Sequence, residues 1–207
     1  MRARPIVLAV AAVALVATAS VPAFAYCLTG VKWNTPPDAQ IRYNASGKVT
    51  SGQCISSSQM DSAATGNAIS TWRALTYAGT TSARPNRRDG TNTVGWAKLG
   101  GQTLGVTNYL NYNGTFNLSC GGNAFAQLFE ADVRLSTSYR WTSTAGQCPC
   151  AAGSAIYLNA VAEHEFAHVV GLCHVNQPSS LMYPSFGVCD NKSKGGDENS
   201  GENALCY

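Results

Sequence analysis

The residues best equipped for chemistry lie together in His164-Glu165-Phe166-Ala167-His168-Val169-Val170-Gly171-Leu172-Cys173-His174, which holds all three histidines of the chain. His164 and His168 are four apart, so on a helix they share one face, a turn apart. Neutral imidazoles at that spacing bind a single zinc ion at roughly 2.0–2.1 Å each. Glu165 projects beside the metal without needing to ligate it, the place of a general base. Gly171 lets the helix stop and the chain turn, which brings His174 back as a third ligand. Three protein ligands leave a fourth position for water, the arrangement of a catalytic rather than a closed structural zinc. A buried helix with satisfied core histidines is the plainer alternative, but all three histidines fall on ligand positions. A closed structural zinc would need Cys173 as its fourth ligand, and adjacent residues seldom both reach one tetrahedral ion.

The elements that must position these residues follow from hydrophobic periodicity. The stretch from about Ser154 to Val170 reads as the helix that carries the histidines. Apolar residues surround most of it (Ile156, Val161, Phe166, Val169), so it is expected to run buried through the domain. Upstream, Val31-Lys32-Trp33 and Gln40-Ile41-Arg42-Tyr43 flank a Pro36-Pro37-Asp38 turn and read as a strand entering after a loop. Ser57 or Ser58 can cap a helix in which Met60, Ala64, Ala68, Trp72 and Leu75 recur, ending near Gly79. Trp72 is expected to pack that helix on a sheet. Val94 to Leu99 and Thr103 to Leu110 read as strands around a Gly100-Gly101 turn. Asn111 to Gly122 is polar and Gly-rich and reads as a loop, as does Cys148 to Ser154. Ala131 to Ser136 alternates as a strand with one wet face. Asp197 to Tyr207 is expected to close the chain with a short helix. No internal repeat or linker divides the chain.

The first residues have the pattern of a secretory leader: charged Arg2 and Arg4, an apolar run from Ile6 to about Val16, then Ala23-Phe24-Ala25 as a small-x-small cleavage site. The apolar run is short for a membrane span, which needs about 20 residues. Residues 1–25 are therefore expected to be a signal peptide and 26–207 a single exported domain, long enough for its own core. The formal charge of +3 falls to +1 once Arg2 and Arg4 are lost, so nothing points to nucleic acid or an anionic membrane as partner. Arg84, Arg87 and Arg88 sit among turn-forming residues and read as a solvated loop. All eight cysteines (27, 54, 120, 148, 150, 173, 189 and 206) lie past the leader. An even number in an exported chain implies disulfides, in a pattern that spacing alone leaves open. Cys148 and Cys150 are too close to bridge easily to each other. Cys173 with Cys189 is an attractive pairing because it would staple the loop that carries Met182. Asn44, Asn113, Asn117 and Asn191 are N-x-[ST] acceptors in a host that glycosylates them.

Eight residues beyond His174 stands Met182, within Ser180-Leu181-Met182-Tyr183-Pro184-Ser185-Phe186. His164 to His174 followed by Met182 resembles the metzincin zinc peptidases, with their long zinc motif and Met-turn. Among these, Leu181 to Phe186 is similar to the turn of the matrixins. Astacin and serralysin relatives place a Tyr two residues after the Met, where this chain has Pro184. Weaker likeness runs in chain order through Lys32 to Tyr43, Ser57 to Leu75, Ala131-Asp132-Val133 and Asp197 to Tyr207. The resemblance implies an α+β zincin fold: a twisted, mostly parallel five-stranded sheet with two long helices, and a small C-terminal subdomain after the zinc helix. The cleft would lie between 26–171 and 172–207. Extended substrate would pair with an edge strand, for which Thr103-Leu104-Gly105-Val106 is the best match. By the same resemblance Met182 would floor the metal site, and Pro184 and Phe186 would wall the pocket for the residue after the cut bond. Matrixins usually carry a structural zinc on a histidine of the edge strand. Val106 stands there, so only one catalytic Zn2+ is expected. Calcium sites stay open, with no dense acidic loop pointing to one. Nor is a latency segment visible between Ala25 and Trp33.

These readings predict a secreted, monomeric zinc endopeptidase. Zinc sits on His164, His168 and His174, Glu165 is the base, and the partner is a protein or peptide bound along Leu104 and Gly105. A narrow-specificity toxin or maturation protease would carry the same residues. A non-catalytic binding protein on the same scaffold is the rival from another class, and loss of a ligand or of Glu165 would have favoured it.

Overall fold

The computed structural model describes residues 26–34, 39–143, 155–188 and 190–207. The leader, the Pro36-Pro37-Asp38 turn and Cys148, Cys150 and Cys189 lie outside the described residues. In chain order the elements are β1 (Val31–Lys32), β2 (Ala39–Asn44), α1 (Ser57–Ala64), α2 (Gly66–Ser70), β3 (Leu75–Thr80), β4 (Asn92–Ala97), β5 (Gly105–Cys120), β6 (Asn123–Ser136), β7 (Arg140–Thr142), β8 (Ala155–Tyr157), α3 (Leu158–Val170) and α4 (Gly196–Ala204).

The expected α+β architecture with a mostly parallel sheet is found. Across the sheet the order is β5-β6-β4-β2-β3, and every pairing is parallel except β5 with β6. The sheet has six strands rather than five, because β1 pairs with β6 at Ala126 and Gln127 while β4 pairs with the same strand at Val133 to Ser136. β4 is buried at five of its six positions, as befits a strand flanked on both edges within a covered sheet. A separate pair, β7 with β8, leads into α3.

Several boundaries differ from the periodicity reading. The helix expected from Ser57 to Leu75 is two helices. Ser56, not Ser57 or Ser58, caps α1 through a capping box with Gln59, and Thr65 breaks the helix with φ −130° and ψ −80°. Leu75 belongs to β3, whose pairing with β2 outweighs the helical spacing of its side chains. The zinc-helix stretch is likewise shorter at its start, because 155–157 pair as β8 before α3 begins at Leu158. The loop expected over Asn111 to Gly122 is the second half of β5, turning at Gly121-Gly122 (φ 54° and 86°) into a β6 that starts at Asn123. β5 is an edge strand with one side toward solvent, so it tolerates Asn and Gly; its four register shifts mark the irregular stretch.

The four tryptophans show how the core is tied together. Each indole N–H has a partner: Trp33 and Trp72 donate to Val169 O and Glu163 O of α3, at 2.9 and 3.2 Å. Trp96 donates to the Tyr43 hydroxyl and Trp141 to Ser136 O. α3 is buried along almost its whole length, and one continuous core runs from Val31 through α3 to Leu205. Asn44 is buried and its Nδ2 donates to Ala83 O at 2.5 Å, so that acceptor site is closed to modification.

Two bridges are formed among the described cysteines. Cys120 pairs with Cys206, joining the tip of the β5–β6 hairpin to the residue just past α4. Cys173 pairs with Cys27, not with Cys189. The reason is tertiary: the segment 27–29 runs antiparallel to 171–173, with Leu28 opposite Leu172 and Cys173 N donating to Cys27 O at 2.9 Å. Cys54 is disulfide-bonded as well.

Candidate metal centre

α3 places His164 and His168 on one face, and Gly171 ends the helix in the left-handed conformation, φ 112° and ψ 15°. A side chain at 171 is excluded twice over, because a Cβ there would also lie 2.5 Å from Val31 O. The chain reverses through Leu172 and returns His174. The Nε2 atoms of His164 and His168 each lie 3.1 Å from Nε2 of His174. A tetrahedral ion with bonds of roughly 2.0–2.1 Å needs its ligand atoms about 3.3 Å apart, close to this spacing.

The outer ring nitrogens decide what the inner ones can do. Nδ1 of His164 lies 2.7 Å from Leu181 O, and Nδ1 of His168 lies 2.7 Å from Leu172 O. A carbonyl oxygen only accepts, so both Nδ1 atoms carry the proton and both Nε2 atoms present lone pairs inward. Burial holds His164 neutral, down to about 3, with the neighbouring His168 adding to the effect. Burial likewise takes His168 down to about 4 and lowers the more open His174. Three neutral nitrogens therefore converge, and one proton on His174 could satisfy at most one of the other two. A cation satisfies all three, and the donor set of imidazole nitrogens suits zinc. The residues present thus fit the metal that the sequence calls for.

The expected substrate residues meet here. Leu104, Gly105, Pro184 and Phe186 line one cleft of about 850 Å3 with Glu165 and the three histidines. Phe186 stands edge-on to the His164 ring with centroids 5.3 Å apart, and Lys192 Nζ backs Phe186 at 4.8 Å from its ring centre. Met182 is buried, does not line the cleft, and reaches the site through its turn: its neighbour Leu181 supplies the carbonyl for His164. Glu165 is buried, and burial pushes its carboxyl up to about 7 against a lowering hydrogen bond from Thr107.

Several groups that hold the site carried no signal of their own in the sequence. Thr107 Oγ1 lies 2.8 Å from Glu165 Oε2. The Tyr109 hydroxyl donates to His168 O at 2.5 Å, and burial raises it to about 12. Ser180 Oγ donates to Glu198 of α4 at 2.7 Å and accepts from Met182 N at 2.9 Å, which fixes the Met182 turn to the last helix. Thr107 and Tyr109 follow Gly105 at alternate positions of one strand, so the cleft rim was the place to look for them.

The matrixin family model matches residues 107–200, a span that takes in most of β5, all three histidines, Glu165 and Met182. No curated protein matches the chain. With the convergent imidazoles, the matrixin match supports a zinc metallopeptidase. No helix among the described residues is long and apolar enough to cross a membrane.

Proposed function

We propose that the protein is a secreted zinc endopeptidase of the metzincin type, cutting extended protein or peptide segments. The observation that carries this reading is the meeting of three imidazole Nε2 atoms beside a buried carboxyl in an open cleft. His164, His168 and His174 would hold the ion. Zinc there supplies a Lewis acid, which polarises a carbonyl and acidifies water.

The chain's own groups do the rest. Glu165 takes a proton from the attacking water and passes it to the leaving nitrogen, which suits a carboxyl raised by its buried setting. A divalent cation nearby would draw that carboxyl back down towards its ordinary range. β5 has β6 on one side only, and its start borders the cleft, so its other edge can pair with an extended substrate. Leu104 and Gly105 border that path, and Pro184 and Phe186 wall the pocket beyond the cut bond. The cleft would then run between 26–171 and 172–207, a reading supported by its lining from β5 and α3 on one side and His174, Pro184 and Phe186 on the other, with the Met182 turn holding His164 through Leu181 O.

The test is casein hydrolysis by the oxidised protein, residues 26–207, beside Glu165→Ala. Cleavage by the first alone, abolished by a zinc chelator, is the expected result. A folded, zinc-loaded wild type no better than the variant would sink general proteolysis. A panel of unrelated proteins then separates a broad protease from a selective maturation enzyme.

A further inference from the structure

Gly105 and Thr107 alternate on β5 and so present the same side of the strand. Glu165 lies against both. A Cβ built at residue 105 would be 2.6 Å from Glu165 Oε1, 2.7 Å from Cγ and 2.9 Å from Cδ. The backbone of Gly105 is not left-handed, unlike that of the turn glycines, so what glycine supplies there is room for the Glu165 side chain in its present position rather than a conformation. Two residues on, Thr107 Oγ1 lies 2.8 Å from Glu165 Oε2 and 2.9 Å from the Glu165 main-chain oxygen.

We infer that Gly105 and Thr107 form a seat for the Glu165 carboxyl, with Thr107 as a positioning residue for the proton transfers of the proposed peptidase. The inference rests on that peptidase reading for its catalytic meaning. A glutamate side chain has several rotatable bonds, and a base misplaced by about 1 Å loses on the order of a hundredfold in rate. Gly105 opens the space, and Thr107 fixes one carboxyl oxygen within it.

The hydroxyl also suits both forms that a base must visit. A hydroxyl has one hydrogen to give and lone pairs to receive. With Glu165 ionised, Thr107 donates to Oε2. With the proton on Glu165, the carboxyl donates to Thr107 Oγ1, and the threonine hydrogen turns to Glu165 O, which is also in reach. The transferred proton goes from water to Glu165 to the leaving nitrogen and never resides on Thr107. In both forms Thr107 Oγ1 and Glu165 Oε2 stay hydrogen-bonded to each other, and losing that bond would add to the barrier.

The experiment compares Thr107→Val, which keeps the shape and removes the hydroxyl, with Thr107→Ser, which restores it. Both are made in the oxidised, zinc-loaded chain and assayed on a quenched fluorescent peptide. The expected result for Thr107→Val is a kcat lower by about 10- to 100-fold with KM within about 2-fold. Thr107→Ser should stay within about 3-fold of wild type, with zinc affinity by chelator competition unchanged in both. A valine variant with wild-type kcat, or a serine variant as slow as the valine one, overturns the inference. If the wild type shows no hydrolysis above Glu165→Gln, the peptidase reading itself has failed. Crystal structures then decide the seat: the Glu165 carboxyl should leave the strand in Thr107→Val and in Gly105→Ala. A carboxyl that stays in place in both variants removes the seat as well.

Discussion

Two of the three clustered histidines, His164 and His168, share α3 with Glu165, yet the two sides of the candidate site are held by different kinds of group. On the metal side the rings are oriented by main-chain carbonyls, Leu172 O for His168 and Leu181 O for His164. On the other side the carboxyl is oriented by what β5 carries, a threonine hydroxyl and the missing Cβ of a glycine. Main-chain acceptors survive almost any substitution at their own residue. Side-chain seats do not. The metal side should therefore respond to changes of backbone course, and the base side to single side chains.

The largest expected effect is loss of a ligand. His168→Ala leaves two imidazoles, and both zinc content by atomic absorption and casein hydrolysis should drop to background. Retained zinc in a folded variant would show that the cluster is not the metal site. Next comes Glu165→Gln, with hydrolysis lower by about 10²- to 10⁴-fold while zinc is kept. Loss of zinc along with activity would erase the distinction between the two sides.

A third prediction probes the backbone course on the metal side. Replacing Cys27 and Cys173 with serine opens a cross-link spanning 146 residues, beside the Leu172 carbonyl and His174. Unfolding free energy should fall by about 3–5 kcal/mol, and zinc affinity by about 10-fold. Removing Cys120 and Cys206 should also lower stability, yet leave zinc affinity as it is, since that bridge lies at the hairpin tip. Equal effects of the two pairs on zinc binding would mean that the Cys27 bridge has no special hold on the ligands.

The smallest effect is a titration of the metal-free protein, and here the two sides move in opposite senses. His164 and His168 have folded values of about 3 and about 4, below the ordinary 6.5. They favour the folded state above pH 6.5, and this is lost as pH falls through about 4 and 3. Glu165 has a folded value of about 7, above the ordinary 4.5. Its contribution is present below pH 4.5 and lost as pH rises through about 7. Site-resolved NMR should find both imidazoles neutral at pH 5 with the carboxyl protonated. An imidazole that charges near 6.5 would contradict the buried, carbonyl-bonded rings.

Much of the metal side was readable from the chain because its parts are close in sequence. His164, His168, Gly171 and His174 are related by one helix and one turn, and both are short-range geometries. The base side was only half readable. Glu165 came with the motif, but Thr107 stands 58 positions away, and only the sheet brings it near. Gly105 was expected at the substrate path and does border the cleft, while its lack of a side chain also makes room for Glu165. β5 itself was misread past Asn111, since polarity marks solvent exposure and an edge strand has that without being a loop. The Cys27–Cys173 bridge was out of reach for the same reason: pairing follows from Leu28 lying opposite Leu172, which no local pattern encodes.

The sequence by itself determined the histidine cluster, the carboxyl beside it and the turn after the helix, because i to i+4 spacing and a left-handed glycine act within a few bonds. Tertiary structure decided which carbonyls orient the rings, which cysteines join and what seats the carboxyl. Those depend on strand order and register, which are set by burying one shared core rather than by any single stretch of the chain.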